Sequence, residues 1–260
     1  MTNSESPDSL PLRGTVALVT GASSGIGEAT ARHLARQGAA VAVLARRADR
    51  LEALAGQIGA EGGRALVIEA DVTERAAATE AVERTVRELG RLDTVINNAG
   101  VMLLGPAEEA PLEEWERMVS LNVQGLLYVA HAALPHLLRA AAGEPRRVAD
   151  LVNVSSVAGR VARAGSAVYN LTKFGVTAFS EALRQEVAGR HLRVSVVEPG
   201  AVETELASHL RPEVLGTMQQ RFGNIERLQA DDIADAVTYI VTRPRHMAIN
   251  EVLVRPTEQV

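Results

Sequence analysis

Tyr169 and Lys173, four residues apart in the segment YNLTK, are the side chains of this 260-residue chain whose types and spacing point most directly to chemistry. Residues i and i+4 share a helix face, so a phenol and an ammonium placed there point the same way. A free phenol, with a pKa of about 10, is too weak an acid to serve as a base near neutrality. A neighbouring cation favours the phenolate and lowers that value. A tyrosine tuned in this way can give a proton to a carbonyl oxygen or take one back. Composition adds weight: of 27 basic residues only Lys173 is a lysine, and it follows one of only three tyrosines. A chain that uses arginine everywhere else keeps a compact ammonium at this one position. Thirteen residues before Tyr169, Ser156 ends the run Asn153-Val154-Ser155-Ser156. Its hydroxyl can bond the same oxygen and hold it for attack, with Ser155 as the alternative. Asn122, a polar residue in an apolar stretch, reads equally as a site residue or as a satisfied buried amide.

These residues must be positioned by the elements around them. Short apolar runs predict strands over 16–20, 40–45, 65–70, 94–97, 151–155, 192–198 and 251–254. Helical patterns fall between them over 25–37, 49–58, 74–89, 112–138, 167–188 and 231–241. Asp49, Thr73, Pro111 and Asp231 stand where helices begin. Repeated strand–helix–strand units imply right-handed crossovers and a doubly wound parallel sheet. Ligands then bind beyond the carboxyl ends of the strands, where strand order reverses. Segment 139–149 is expected to be a loop, and 204–227 a partly helical cover over the site.

The residues following the strands suit a dinucleotide. After Thr20 comes Gly21-Ala22-Ser23-Ser24-Gly25-Ile26-Gly27 and then a helical pattern. Gly21 allows a tight turn, Gly25 lets the backbone approach a pyrophosphate, and Gly27 permits close helix–strand packing. Free N–H groups at the helix start, among Ser23, Ser24 and Ile26, face the phosphates. Arg46 and Arg47 end the second strand, nineteen and twenty residues past Gly27. An acid there would receive the ribose 2′-hydroxyl of NAD, whereas arginine accommodates the 2′-phosphate of NADP with bidentate bonds. NADP(H) is therefore the expected cofactor, against the alternative of two solvated arginines in an arginine-rich chain. Asp71 and Val72 would meet the adenine. Asn98, Ala99 and Gly100 let the backbone lie against the cofactor. Pro199 and Gly200 turn the chain past Val202 to Thr204, whose hydroxyl reaches toward the nicotinamide amide or the phosphates.

Several function classes fall away. The chain has no cysteine, which removes disulfides and thiol chemistry. None of its six histidines stands at a metal-ligand spacing such as H-E-x-x-H, so no catalytic metal is expected. A net charge of −5 gives no pull toward nucleic acid or an anionic membrane. Residues 1–12 form a polar stretch without the basic and apolar regions of a signal peptide, and read as a flexible tail. The apolar stretch 121–138 is broken by Asn122, Gln124, His131, Pro135 and His136, so no membrane span is expected. Residues 13–260 are expected to form one cytoplasmic domain.

From Gly14 to Val260 the chain resembles the short-chain dehydrogenase/reductase family. The matching pieces are the Gly21/Gly25/Gly27 loop, Asp71, Asn97–Gly100, Asn122, Ser156, Tyr169, Lys173 and Pro199–Gly200. The resemblance implies a Rossmann-type, seven-stranded parallel sheet and hydride transfer that reduces an aldehyde or ketone. It makes Tyr169 the general acid/base and Ser156 the group that polarises the carbonyl. Lys173 would bind the nicotinamide ribose and depress the Tyr169 pKa, and Asn122 would hold a water in the proton relay. It implies a tetramer or dimer built on the long helices after the fourth and fifth strands. More narrowly, VMLLGP, AGRVAR, FGVTAFSEALRQEV and the C-terminal NEVLVRPTEQV are similar to clavulaldehyde dehydrogenase and related NADPH-dependent reductases. Segments 139–149 and 204–227 depart from the family pattern, so the substrate is not carried over. Alcohol oxidation remains an alternative. So does a catalytically silent NADP-binding regulator, which the presence of Ser156, Tyr169 and Lys173 opposes. The pocket is expected to be aliphatic, using Val101, Met102, Val202 and Leu206. Arg160, Arg163 and Arg211 are candidates to meet a substrate carboxylate, with solvated arginine as the plainer alternative.

Overall fold

Val16–Thr20 (β1) and Ala40–Ala45 (β2) are almost continuous Val, Leu and Ala runs, Ala149–Val154 (β5) and Leu192–Pro199 (β6) mix such residues with polar ones, and nearly every residue in all four is buried. Such runs suit parallel strands covered on both faces. In the computed structural model, which describes residues 10–216 and 225–259, they join Arg64–Glu69 (β3), Thr94–Asn97 (β4) and Glu251–Val254 (β7). The seven strands form one sheet in the order β3-β2-β1-β4-β5-β6-β7, every neighbouring pair parallel.

Side chains alternate across each strand, so one sequence feeds two cores. Val19, Val41 and Val43 face Leu34 of α1 (Gly25–Arg36), Leu51 and Leu54 of α2 (Ala48–Ala60), and Ile233 of α7 (Ala230–Val241). Leu18, Ala42 and Val95 face Val82 of α3 (Arg75–Leu89), Leu137 of α5 (Leu126–Ala141) and Leu183 of α6 (Ala167–Val187). The chain winds outward from β1 in one direction and from β4 in the other. The crevice beyond their carboxyl ends is therefore the switch point of the sheet.

Three boundaries differ from expectation. The single helix expected over 112–138 is α4 (Leu112–Val119), a π-helical segment (Ser120–Gly125) and α5. The widened turn carries Asn122, whose amide is turned onto the backbone of Val101, and Gly125, which packs on Val72. The loop expected over 139–149 shrinks to 142–148. The alanines at its start continue α5 with Ala140 and Ala141 buried, and β5 already begins at Ala149. Of the residues 1–12 expected as a tail, 10–12 are packed on the fold. Leu12 is buried and its N–H donates to the Gln37 carbonyl, while residues 1–9 lie outside those described.

At the end of the sheet opposite the crevice, Arg193 of β6 is nearly fully buried and grips Asp150 of β5 with two bonds, at 2.7 and 3.0 Å. Its remaining N–H groups donate to the carbonyls of Val241 and Met247, fastening the segment after α7 to the sheet. Removing one partner of a buried pair costs about 3–5 kcal/mol where the other charge is left uncompensated, and here Asp150 retains a second partner in Arg146 at 3.1 Å. Arg193→Met is expected to lower the unfolding free energy by up to about that amount in denaturant titration. A loss below about 1 kcal/mol would mean that the bond Asp150 already makes with Arg146 compensates its charge.

Candidate active site

The crevice begins where β1 and β4 end. The Thr20 hydroxyl accepts the N–H groups of Asn98 and Ala99, both at 3.0 Å, and the Asn98 amide donates back to the carbonyls of Thr20 and Gly21. Little room is left between them. A Cβ on Gly27 would lie 2.3 Å from the Gly21 oxygen and 2.5 Å from Asn98 Nδ2. Gly21 and Gly25 adopt positive φ (65° and 56°), which glycine reaches without steric cost. The loop so formed ends at the N-terminus of α1, whose first N–H groups have no partner within the helix.

Side chains surround this loop. Arg47 donates to the Ser23 hydroxyl at 2.9 and 3.1 Å and to Ser24 at 2.8 Å. Arg46 reaches across to Asp71, 3.7 Å away. Asp71 also accepts from the backbone and hydroxyl of Thr73. Burial raises its pKa, but the Thr73 bonds and Arg46 outweigh this and hold it below the ordinary carboxylate range. On the far side, the Thr204 hydroxyl caps the short turn Glu205–His209, and its methyl group packs on Gly25. Gly200 is fixed by the C-terminal tail: Gln259 accepts from the Ala201 N–H and leaves no space for a Cβ on Gly200.

The reacting side chains lie deeper in the cleft. Tyr169 and Lys173 are buried on one face of α6. The Lys173 ammonium donates to the Val154 carbonyl at 2.9 Å and stands 5.8 Å from the Tyr169 ring centre. Ser156 stands beside the phenol, close enough to influence its ionisation, accepts from the Ala158 N–H at 3.1 Å and donates weakly to the Pro199 carbonyl at 3.4 Å. Ser155 donates to the Lys173 carbonyl at 3.1 Å, which anchors α6 to the end of β5. Burial pushes the phenol up to about 12, with Ser156 acting in the other direction. It also brings Lys173 down to about 8. The sequence led us to expect a lysine-depressed phenol. In the protein alone, desolvation wins, because it disfavours both charged forms.

One cleft of about 310 Å³ is lined by every residue proposed from sequence for the cofactor, together with Ser156, Tyr169 and Lys173. Asn122 stands behind it. Its amide accepts from the Val101 N–H and donates to the Val101 carbonyl, each at 2.8 Å, and also donates to Thr172. The side-chain amide is thus satisfied within the protein, which leaves its main-chain carbonyl for the role the resemblance implies. Val101, Val202 and Leu206 line the cleft, whereas Met102 packs beside it with Trp115 and Met118. Arg160 is held by Glu198 and Glu251, and Arg211 by Glu114 and Glu213. Arg163 gives its backbone N–H to Asn170.

Sequence reasoning missed four contributors. Thr20 joins the two central strands. Asn170 ties the Ala158 and Val161 carbonyls to α6, fixing the loop after Ser156 against the helix that carries Tyr169. Its place inside YNLTK was the available signal. Glu205 and His209 also line the cleft, and nothing in the local sequence marks them. Burial, with Arg117, Arg46 and Arg47 nearby, holds the His209 imidazole below its ordinary value.

The family model for the short chain dehydrogenases matches residues 15–215. The chain belongs to that family. Members are oxidoreductases, and this short-chain dehydrogenase is 36% identical over 248 residues to an uncharacterised oxidoreductase of Staphylococcus saprophyticus, covering 94% of this chain and 96% of the other. Among solved structures it is similar to a closed form of serine dehydrogenase complexed with NADP+ (TM-score 0.85, 33% identity, covering 95% and 96% of the two chains). It is also similar to a 3-ketoacyl-(acyl-carrier-protein) reductase of Brucella melitensis complexed with NADH (TM-score 0.83, 30% identity, covering 96% and 100%).

The buried lysine gives the site a pH signature. Its folded pKa, about 8, lies below the usual 10.5, so between these values the unfolded chain binds more protons and folding stability climbs with pH. Lys173→Met lacks this contribution. The stability of wild type minus that of the variant should rise by up to about 1.4 kcal/mol per pH unit between pH 8 and 10, followed by urea unfolding. A flat difference would show Lys173 fully charged in the folded protein at pH 9.5.

Proposed function

We propose that this short-chain dehydrogenase is an NADP(H)-dependent carbonyl reductase that converts an aldehyde or ketone to the alcohol. The observation that carries this reading is the buried Tyr169 phenol, sharing a helix face with Lys173 and a cleft with Ser156, where the glycine loop opens. The cradle fits a dinucleotide diphosphate. Gly21 and Gly27 let the backbone after β1 close on the backbone after β4, which leaves the positive-φ loop and the first N–H groups of α1 facing the cleft. Ser23, Ser24, Ile26, Asp71, Val72, Asn98, Ala99, Gly100, Val202 and Thr204 line the remainder. Arg46 and Arg47, at the end of β2, suit a 2′-phosphate. When bound, the nicotinamide supplies the hydride.

The chain supplies the proton and the geometry. Tyr169, kept protonated by burial, gives its phenolic proton to the carbonyl oxygen as charge develops there. Ser156 exchanges its 3.4 Å bond to Pro199 for a stronger one to the same oxygen. Lys173 keeps one N–H on Val154 and has two left for a ribose hydroxyl. Alcohol oxidation would begin from the phenolate; Arg46 and Arg47, which suit the 2′-phosphate of NADPH, support the reductive reading. Val101, Val202 and Leu206 make the substrate wall apolar. The subgroup likeness to clavulaldehyde dehydrogenase rests on its sequence stretches alone.

We place the enzyme in the cytoplasm; among the described residues no helix is long and apolar enough to cross a membrane. Exposed Leu112, Leu127, Leu171 and Phe174 on α4, α5 and α6 support a homo-oligomer paired through those helices.

Oxidation of NADPH and NADH, followed by absorbance across a panel of aldehydes and ketones, tests the function. Tyr169→Phe should lose about 10²- to 10⁴-fold in kcat while NADPH binding persists. Full activity in that variant would remove Tyr169 from the chemistry. Arg46→Ala combined with Arg47→Ala should abolish the preference for NADPH over NADH. A preference that survives would place the phosphate elsewhere.

A further inference from the structure

The arginines at the end of β2 already hold an anion. Glu205, the first residue of the short turn Glu205–His209, places one carboxylate oxygen 2.8 Å from Arg47 Nη1 and the other 2.6 Å from Arg50 Nη1. The same Arg47 lies on the hydroxyls of Ser23 and Ser24 in the glycine loop. One carboxylate therefore bridges two guanidiniums, as a phosphate monoester would, at the rim where the NADP reading puts the 2′-phosphate. The contact also spans the cleft. Of the cover expected over 204–227, residues 217–224 lie outside those described; Glu205 belongs to its first turn, Glu205–His209, whereas Arg47 and Arg50 belong to the residue before α2 and to its first turn. The two arginines hold the Glu205 carboxyl at about 2, so it stays charged at any working pH.

We propose that Glu205 is an internal stand-in for the cofactor's 2′-phosphate and sets the enzyme's discrimination between NADPH and NADH. In the protein alone it neutralises Arg47 and Arg50 and fastens the turn Glu205–His209 to the end of β2. An incoming 2′-phosphate competes for the same guanidinium hydrogens and displaces the carboxylate. NADH carries no such group and leaves the bridge in place. Glu205 therefore weakens NADPH binding relative to what the arginines alone would give, and Arg50 joins Arg46 and Arg47 as a residue the phosphate meets. The bridge ties occupancy of the cofactor's phosphate end to the hold on the turn Glu205–His209, which carries Leu206 into the cleft, because both depend on one carboxylate.

This inference rests on the NADP reading, and direct binding separates the two. Dissociation constants for NADPH and NADH would be measured by fluorescence titration for wild type, Glu205→Gln and the control Glu61→Gln. The control removes the same charge from the Arg36 pair, outside the cleft. Glu205→Gln should tighten NADPH about three- to tenfold, leave NADH within about twofold, and differ in this from Glu61→Gln. A wild type that prefers NADPH by a ratio unchanged in Glu205→Gln would overturn the stand-in and leave the NADP reading intact. Weaker NADPH binding in Glu205→Gln would also overturn it, by making Glu205 a support that aims Arg47 at the phosphate. If NADPH binds no better than NADH in any of the proteins, both readings fall.

Discussion

The closeness of backbone at the ends of β1 and β4 is the constraint on which the rest of the site depends. Gly27 and Gly21 meet with no room for a single carbon between them, and Asn98 is wedged against both. Without that contact α1 could not start where it does, and its N-terminal N–H groups would not face the crevice. Thr20 contributes the complementary part. One hydroxyl receives two backbone N–H groups from the chain after β4, so the two central strands end in register and the crevice has a fixed floor. Arg47 then lies over the serines of the same loop, so its position also follows from the path of the glycine-rich backbone.

Desolvation governs the chemistry above that floor. The same burial raises the phenol and lowers the ammonium, so each group is drawn toward its neutral form. Lys173 remains tolerable because the Val154 carbonyl takes one of its hydrogens, at the point where β5 ends. The lysine is thus joined to the sheet as firmly as to its helix. Tyr169 is fixed less directly. Asn170, next to it, fastens α6 to the loop after Ser156, and Ser156 stands beside the phenol. Asn122 acts in a similar way from the opposite wall, where its amide is committed to both polar groups of Val101.

Much of the architecture was legible because it rests on local patterns. Unbroken apolar strands fixed between polar helix faces are visible residue by residue, and four of the seven strands coincide with their expected bounds. The boundaries that moved are those decided by distant partners. β5 starts at Ala149 because Asp150 meets Arg193, forty-three residues later. The helix expected over 112–138 is interrupted because Asn122 finds Val101, and no helical periodicity reveals that.

The sequence by itself determined the class of fold, the glycine loop, and the Tyr169–Lys173 pair with a serine nearby, since each depends on residue types at short, regular spacing. Tertiary structure decided which groups are charged, which are engaged and which face the cleft. It set Ser156 beside the phenol and Ser155 on the Lys173 carbonyl, turned the Asn122 amide to the backbone, and withdrew Arg160 and Arg211 into pairs with carboxylates. It also brought Glu205 to Arg47 across 158 positions of sequence. The physical reason is the same throughout. Burial and hydrogen bonding act between groups that are near in space, and spacing along the chain fixes that nearness only within a helix turn or a strand.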